Sequence, residues 1–285
     1  MSEVHASEDR PLPPDRHERR AVELARLRKS LAAQERVAVA GDWHNDRTWI
    51  MNVFSRISTA APDVRVILQL GDLEIGTDKY AKAFLNFIDE RCRGHNIDYV
   101  LVTPGNHDDR DRLDAKQEWR RGEPTPLSEH VLALPPGYRF GLGGRSVLSF
   151  GTGASVQDDL VKGVNWWPQE VPAPGLFDAA AALGHVDILL THEAVLGGPA
   201  SVAAIINGRA SKRWRPERLA ASARSRELIS GLCEAVDPAI VFHGHMHVRG
   251  QTEPGAPRRI YSLADNRSPG NAGILTMATL DFQWI

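Results

Sequence analysis

Cysteine is nearly absent: Cys92 and Cys233 are the only two in 285 residues. That scarcity excludes a disulfide framework and a Cys-rich zinc module, and makes a reduced, cytoplasmic setting the default. Long apolar runs are lacking too. None approaches the roughly 18 consecutive residues a membrane span needs, so no membrane partner is expected. Neither sign of charge dominates, because 34 basic residues face 36 acidic ones and leave a net charge of −2. That balance gives a nucleic-acid partner no support. The start, Met1-Ser2-Glu3-Val4-His5, has neither the basic nor the apolar stretch of a secretory signal. What remains, 42% hydrophobic and 25% charged residues, describes a globular chain with room for one sizeable core.

Pro11, Pro13 and Pro14 lie among charges in a segment that reads as a flexible tail. From 15 to 33, Val22, Leu24, Leu27 and Leu31 form a sparse apolar stripe that predicts a surface helix. The chain therefore divides into an N-terminal tail and surface helix, 1–35, and one domain, 36–285. Within that domain a theme recurs five times. A short apolar run, at 37–40, 64–70, 97–102, 186–190 and 239–242, stops abruptly at a cluster of Asp, Asn, Gly and His. The runs are near-continuous rather than alternating, as strands covered on both faces are. Helical patterns at 48–57, 79–91, 111–120 and 222–235 lie between them, with Asp46 placed to cap the first. Further strands are expected at 146–150, 258–263 and 274–282, the last two joined through Ser268-Pro269-Gly270-Asn271. The class is α/β.

In open α/β sheets, ligands bind beyond the carboxyl ends of the strands. The five runs end, in order, in Gly41-Asp42-Trp43-His44, Gly71-Asp72, Gly105-Asn106-His107-Asp108, Thr191-His192-Glu193 and His243-Gly244-His245-Met246-His247. Composition alone predicts about 0.8 chance Asp-x-His triplets, so that motif is uninformative by itself. Asp15-Arg16-His17 is such a decoy, with no strand before it. By the same arithmetic Gly-His-x-His is expected about 0.04 times and Gly-Asn-His-Asp about 0.002 times. Their occurrence in one order, each on a strand end, is not coincidence.

This ordered set resembles the calcineurin-like metallophosphoesterase superfamily, over roughly residues 37 to 247. The resemblance implies a four-layer αββα sandwich of two mixed β-sheets flanked by helices, with a dinuclear metal site at the C-terminal strand ends. Carried over by motif, one metal takes Asp42, His44 and His247, the other takes Asn106, His192 and His245, and Asp72 bridges both. Carboxylate and imidazole without thiolate suit Mn, Fe, Zn or Co. The implied activity is hydrolysis of a small phosphomonoester or phosphodiester by in-line attack of a metal-bridging hydroxide. The implied catalytic residues are His107, as general acid or phosphoryl clamp, and Asp108, orienting its ring. Protein phosphatases of the superfamily follow the first motif with Gly and extend the second to Gly-Asp-x-Val-Asp-Arg-Gly. Here Asn45 follows His44, and Gly71-Asp72 continues Leu73-Glu74-Ile75-Gly76, which weakens that alternative. A nuclease has no further support, and a catalytically idle scaffold should have lost ligands, which this chain has not.

Other residues carry plainer expectations. His243 reads as a buried, satisfied imidazole beside the site, and Cys92 and Cys233 as small buried apolar residues. Trp43 either walls the pocket or packs in the core. Trp166 and Trp167 read as a local hydrophobic staple or as a rim over a base or other leaving group, the staple being the plainer of the two. Arg209, Lys212, Arg213, Arg215 and Arg218, around Trp214, read as a solvated helix face rather than an anion funnel.

Overall fold

The computed structural model describes residues 15–74, 78–208 and 213–285. The expected tail before Asp15, and Arg209 and Lys212 of the basic cluster, lie outside the described residues. The chain opens with helix α1 (Arg16–Ala32), strand β1 (Arg36–Ala40), α2 (Arg47–Ala60), β2 (Val66–Gln69), α3 (Asp78–Gly94) and β3 (Tyr99–Val102). Two short helices, α4 (Arg110–Asp114) and α5 (Gln117–Arg120), and strands β4 (Thr125–Pro126) and β5 (Val131–Ala133) follow. The second half holds β6 (Tyr138–Leu142), β7 (Arg145–Phe150), α6 (Pro174–Ala181), β8 (Ile188–Thr191), α7 (Ala200–Asn207), α8 (Pro216–Val236) and β9 (Ile240–His243). It closes with β10 (Gly250–Gln251), β11 (Arg259–Ser262), β12 (Ala272–Thr276) and β13 (Asp281–Trp284).

Two mixed sheets result. One has seven strands in the order β13-β12-β1-β2-β3-β5-β4, and the other six in the order β10-β11-β9-β8-β7-β6. Strands β1, β2, β3 and β5 run parallel in the first sheet, and β7, β8, β9 and β11 in the second; antiparallel strands finish the edges. The strand period of two explains why the apolar runs show no alternation. Along β1, Val37 and Val39 face a cluster between the sheets with Leu68, Leu101, Leu190 and Phe242. Ala38 and Ala40 face α2 and α3 through Ile50, Phe54, Phe84 and Ile88. On the far side, Leu148, Leu189 and Val241 pack against Phe177 of α6 and Ile229 and Leu232 of α8. Helix, sheet, sheet and helix thus form the four-layer αββα sandwich.

Capping chemistry sets the helix starts. The Asp46 side chain accepts from Trp49 N at 3.0 Å to begin α2. Asp15, the decoy, makes a capping box with Glu18 at the start of α1. On that helix Leu27 and Leu31 are buried in the inter-sheet cluster. Some details differ from the sequence reading. The stretch 274–282 is a hairpin, β12 and β13, turning at Leu280 with φ of 57°. The stretch 111–120 is two helices, with Asp109 capping the first. The two strands flanking Ser268-Pro269-Gly270-Asn271 lie in different sheets. Cys92 and Cys233 are free and buried, as expected.

Phe242 sits between the sheets with its ring against Tyr261 and Phe282. Phe242→Ala is expected to cost about 3–5 kcal/mol, measured by denaturant unfolding.

Candidate metal centre

All seven residues expected to bind metal follow strands that end on one side of the sandwich. Asp42 and His44 follow β1, Asp72 follows β2 and Asn106 follows β3; His192 follows β8, and His245 and His247 follow β9. They converge. Donor atoms of Asp42, His44, Asp72 and His247 lie within 4.8 Å of one another, and so do those of Asp72, His192 and His245. Asp72 belongs to both groups. Asn106 joins the second, its Oδ1 lying 3.0 Å from His192 Nε2.

Hydrogen bonds on the outer ring nitrogens aim the inner ones. His192 Nδ1 donates to the Leu70 carbonyl at 2.6 Å, which leaves Nε2 facing Asp72 Oδ1 at 3.3 Å. His44 Nδ1 lies 3.1 Å from Glu74 Oε1, so its Nε2 faces His247 Nε2 at 3.2 Å. Two imidazole lone pairs pointed at one another need a cation or a proton between them. Asp72 Oδ1 accepts from His107 N at 2.9 Å, while its buried Oδ2 has no hydrogen-bond partner among the described residues. A buried, unpaired carboxylate oxygen is costly unless a cation meets it.

The electrostatics say the same. Burial disfavours charge on His192, yet the Asp72 and Asp42 carboxylates push its pKa up to about 10. Burial likewise opposes charge on His44, and Glu74, Asp72 and Asp42 outweigh it, raising that ring to about 9. Burial also opposes the Asp72 charge, but the His192, His107 and His44 rings hold its carboxyl well below the usual range. Without metal, protons must supply the positive charge that these carboxylates demand. The residues present therefore fit a pair of divalent cations.

The backbone is bent to make this crowd. His44, Asp72, His245 and His247 have φ of 42°, 50°, 66° and 53°, a left-handed region that side chains avoid unless surroundings enforce it. A Cβ at Gly105 would collide with Asp72 Oδ1 and meet His192 Nε2 at 2.7 Å, so this position must be glycine. Gln69 fastens two of the loops, donating to the Gly71 carbonyl at 2.6 Å and the Gly41 carbonyl at 3.2 Å.

The family model for calcineurin-like phosphoesterases matches residues 35–249. The chain belongs to that family. No curated protein matches it. Among solved structures, TT1561 of Thermus thermophilus is 15% identical with a TM-score of 0.52, covering 87% of this chain and 97% of its own. A dimetal phosphatase from Danio rerio is 11% identical with a TM-score of 0.46, covering 84% and 92%. At such identity the Thermus likeness shows a shared fold alone.

Several expectations are corrected. Asp108 does not orient His107. Its Oδ2 accepts from Gly105 N at 2.8 Å and its Oδ1 from Glu74 N at 3.0 Å, so it braces the loops carrying Asn106 and Asp72. Burial and the Asp72 charge push its pKa up to about 6. The polar group beside His107 is Gln157, whose Nε2 lies 3.3 Å from the ring Nε2. Of the two readings of Trp43, core packing is the one observed, against Phe54. His243 is buried, but only its Nδ1 is paired, to the Gly244 carbonyl at 3.0 Å; Nε2 has no partner among the described residues. Trp167 is buried, whereas Trp166 lies under the Arg218 guanidinium. Arg215 pairs with Asp158 at 3.0 Å. The basic segment is therefore not simply a solvated face.

It borders a cavity of about 290 Å³ over the centre, lined by Asp72, Asn106, His107 and His245 on the floor and by Ile205, Arg213, Trp214 and Leu219 above. Residues that sequence reasoning missed are Glu74, behind His44, and Gln157 and Arg226, in the cavity wall. No motif marks them: Glu74 lies just beyond Asp72, Gln157 on the segment after β7 and Arg226 on α8.

Adding Mn²⁺ to chelated protein is expected to raise the melting temperature, because a ligand that binds only the native state stabilises it. In Asp72→Asn that rise should largely vanish, and in Gly105→Ala it should shrink; calorimetry with and without metal checks both.

Proposed function

We propose that the protein is a phosphoesterase working with two divalent cations on a small phosphomonoester or phosphodiester. The observation that carries this reading is Asp72, shared between two donor groups and holding one buried oxygen unpaired. Asp42, His44, Asp72 and His247 would hold one cation, and Asp72, Asn106, His192 and His245 the other. When bound, the pair would supply an acidified water and neutralise phosphoryl oxygens.

The protein's own groups do the rest. His107 is fixed by its backbone N–H to Asp72, and its half-buried ring lines the cavity. There it can clamp a phosphoryl oxygen or give a proton to the departing alkoxide. Gln157, beside that ring, can hold its orientation. Ile205, Trp214, Leu219 and Met246 offer apolar and aromatic surface to the organic part of the ester. Arg213, stacked on Trp214 at 4.4 Å, and Arg226 place positive charge at the same wall. A cavity this size favours a small ester over a polypeptide or duplex, which speaks against the protein-phosphatase and nuclease alternatives. The unbroken ligand set speaks against an idle scaffold.

We also propose a cytoplasmic location, which the two unpaired, buried cysteines favour. No helix among the described residues is long and apolar enough to cross a membrane.

Purified protein with Mn²⁺ is expected to hydrolyse p-nitrophenyl phosphate or its bis-ester, and to stop on chelation. Inertness toward both esters with Mn, Fe, Zn and Co would overturn the enzyme reading. His107→Ala should lose about 10²–10⁴-fold in kcat while still binding two ions by elemental analysis. Trp214→Ala should raise KM for aryl esters and leave metal content unchanged, as steady-state kinetics and the same elemental analysis would show.

A further inference from the structure

Behind Asn106 runs a buried chain of hydrogen bonds that no motif in the sequence announces. Asn106 Nδ2 donates to Ser155 Oγ at 3.1 Å. Ser155 Oγ in turn donates to Glu170 Oε2 at 2.6 Å. The other carboxylate oxygen, Oε1, accepts from Ser155 N at 3.0 Å and from Trp166 Nε1 at 3.0 Å. Glu170 thus collects three donors in a pocket from which water is nearly excluded. The buried Arg110 guanidinium adds a favourable charge close by.

The polarity of this chain follows from counting hydrogens. A hydroxyl has one proton. With that proton committed to the Glu170 carboxylate, Ser155 can only accept from its other neighbour. The Asn106 amide must therefore turn its NH₂ toward Ser155 and its carbonyl oxygen away, toward His192 Nε2. That oxygen is the one atom of an amide a cation can bind; the NH₂ end would repel it.

We propose that Glu170, through Ser155, is a positioning residue that fixes the Asn106 amide with its oxygen toward the second cation. This rests on the two-cation reading above. Neither Glu170 nor Ser155 is among the residues that would hold the cation, and both act through the direction of a hydrogen bond.

An isosteric change reverses that direction. In Glu170→Gln the amide oxygen keeps the two N–H donors, while the new NH₂ takes the place of Oε2 and donates to Ser155. The hydroxyl proton, released from position 170, is then free to point at Asn106, which removes the constraint on the amide and lets it flip to present NH₂ to the cation. Volume and packing hardly change. Ser155→Ala removes the relay altogether, and Ser155→Thr preserves it.

The test is Mn²⁺ titration by calorimetry on chelated protein, with bound ions counted by elemental analysis and melting temperatures taken in chelator. Wild type and Ser155→Thr should bind two ions. Glu170→Gln and Ser155→Ala should bind one ion normally and the other about 10–100-fold more weakly. The chelated Glu170→Gln protein should melt within a few degrees of wild type. Two equally tight ions in Glu170→Gln would overturn the proposal and leave the phosphoesterase reading standing. Loss of both ions, together with early melting, would show a merely structural role and overturn it as well. Fewer than two ions in the wild type would remove the parent reading, and this one with it.

Discussion

Two fully buried carboxylates, Asp42 and Asp72, sit within reach of four imidazoles at the rim of two sheets. Such a cluster cannot exist in a low-dielectric interior unless positive charge balances it. Much of the surrounding structure serves that requirement. Leu70 and Glu74 fix which nitrogen of each ring faces inward, Gln69 and Asp108 tie the loops, and glycine at 105 lets backbone pass where a side chain would not fit. The left-handed residues carry strain that only a rigid frame could hold. The frame is the sandwich, with apolar clusters on both faces of both sheets.

The location of the centre follows from topology. Parallel strands within a sheet end on the same side, so β1, β2 and β3 deliver three loops to one rim while β8 and β9 deliver two more from the facing sheet. Two sheets contribute because neither alone carries enough ligands. Asn271, between β11 and β12, binds the Asp42 carbonyl at 3.1 Å and receives the Trp49 indole at 2.8 Å, joining the closing strands to the first loop.

Much of this was legible in the sequence because strand ends are where apolar character stops and ligand chemistry starts. Asp42, Asp72, Asn106 and His192 each follow a run of β-branched and aliphatic residues, and two-sided burial makes those runs conspicuous. What was not legible depends on partners far along the chain. Asp108 reads as a neighbour of His107, but its hydrogen bond to Glu74 crosses 34 positions. Ser155 reaches Asn106 across 49, from a loop without periodicity. The 274–282 hairpin was hidden because its turn contains neither Gly nor Pro, only Leu280 in a conformation that sequence does not advertise. Helices α6 and α7, eight residues each and rich in alanine, give too short a pattern to stand out.

The roof of the cavity is built differently from its floor. The segment carrying Trp214 is fastened to the 158–166 loop by one exposed ion pair, Arg215 with Asp158, and by Arg218 lying over Trp166. Each clasp is worth about 1 kcal/mol or less at a wet surface. Below it, the ligand loops are pinned by hydrogen bonds sealed from solvent. These surface contacts add little to the hold on the upper wall, whereas the candidate metal centre below is kept in shape by bonds that water does not weaken.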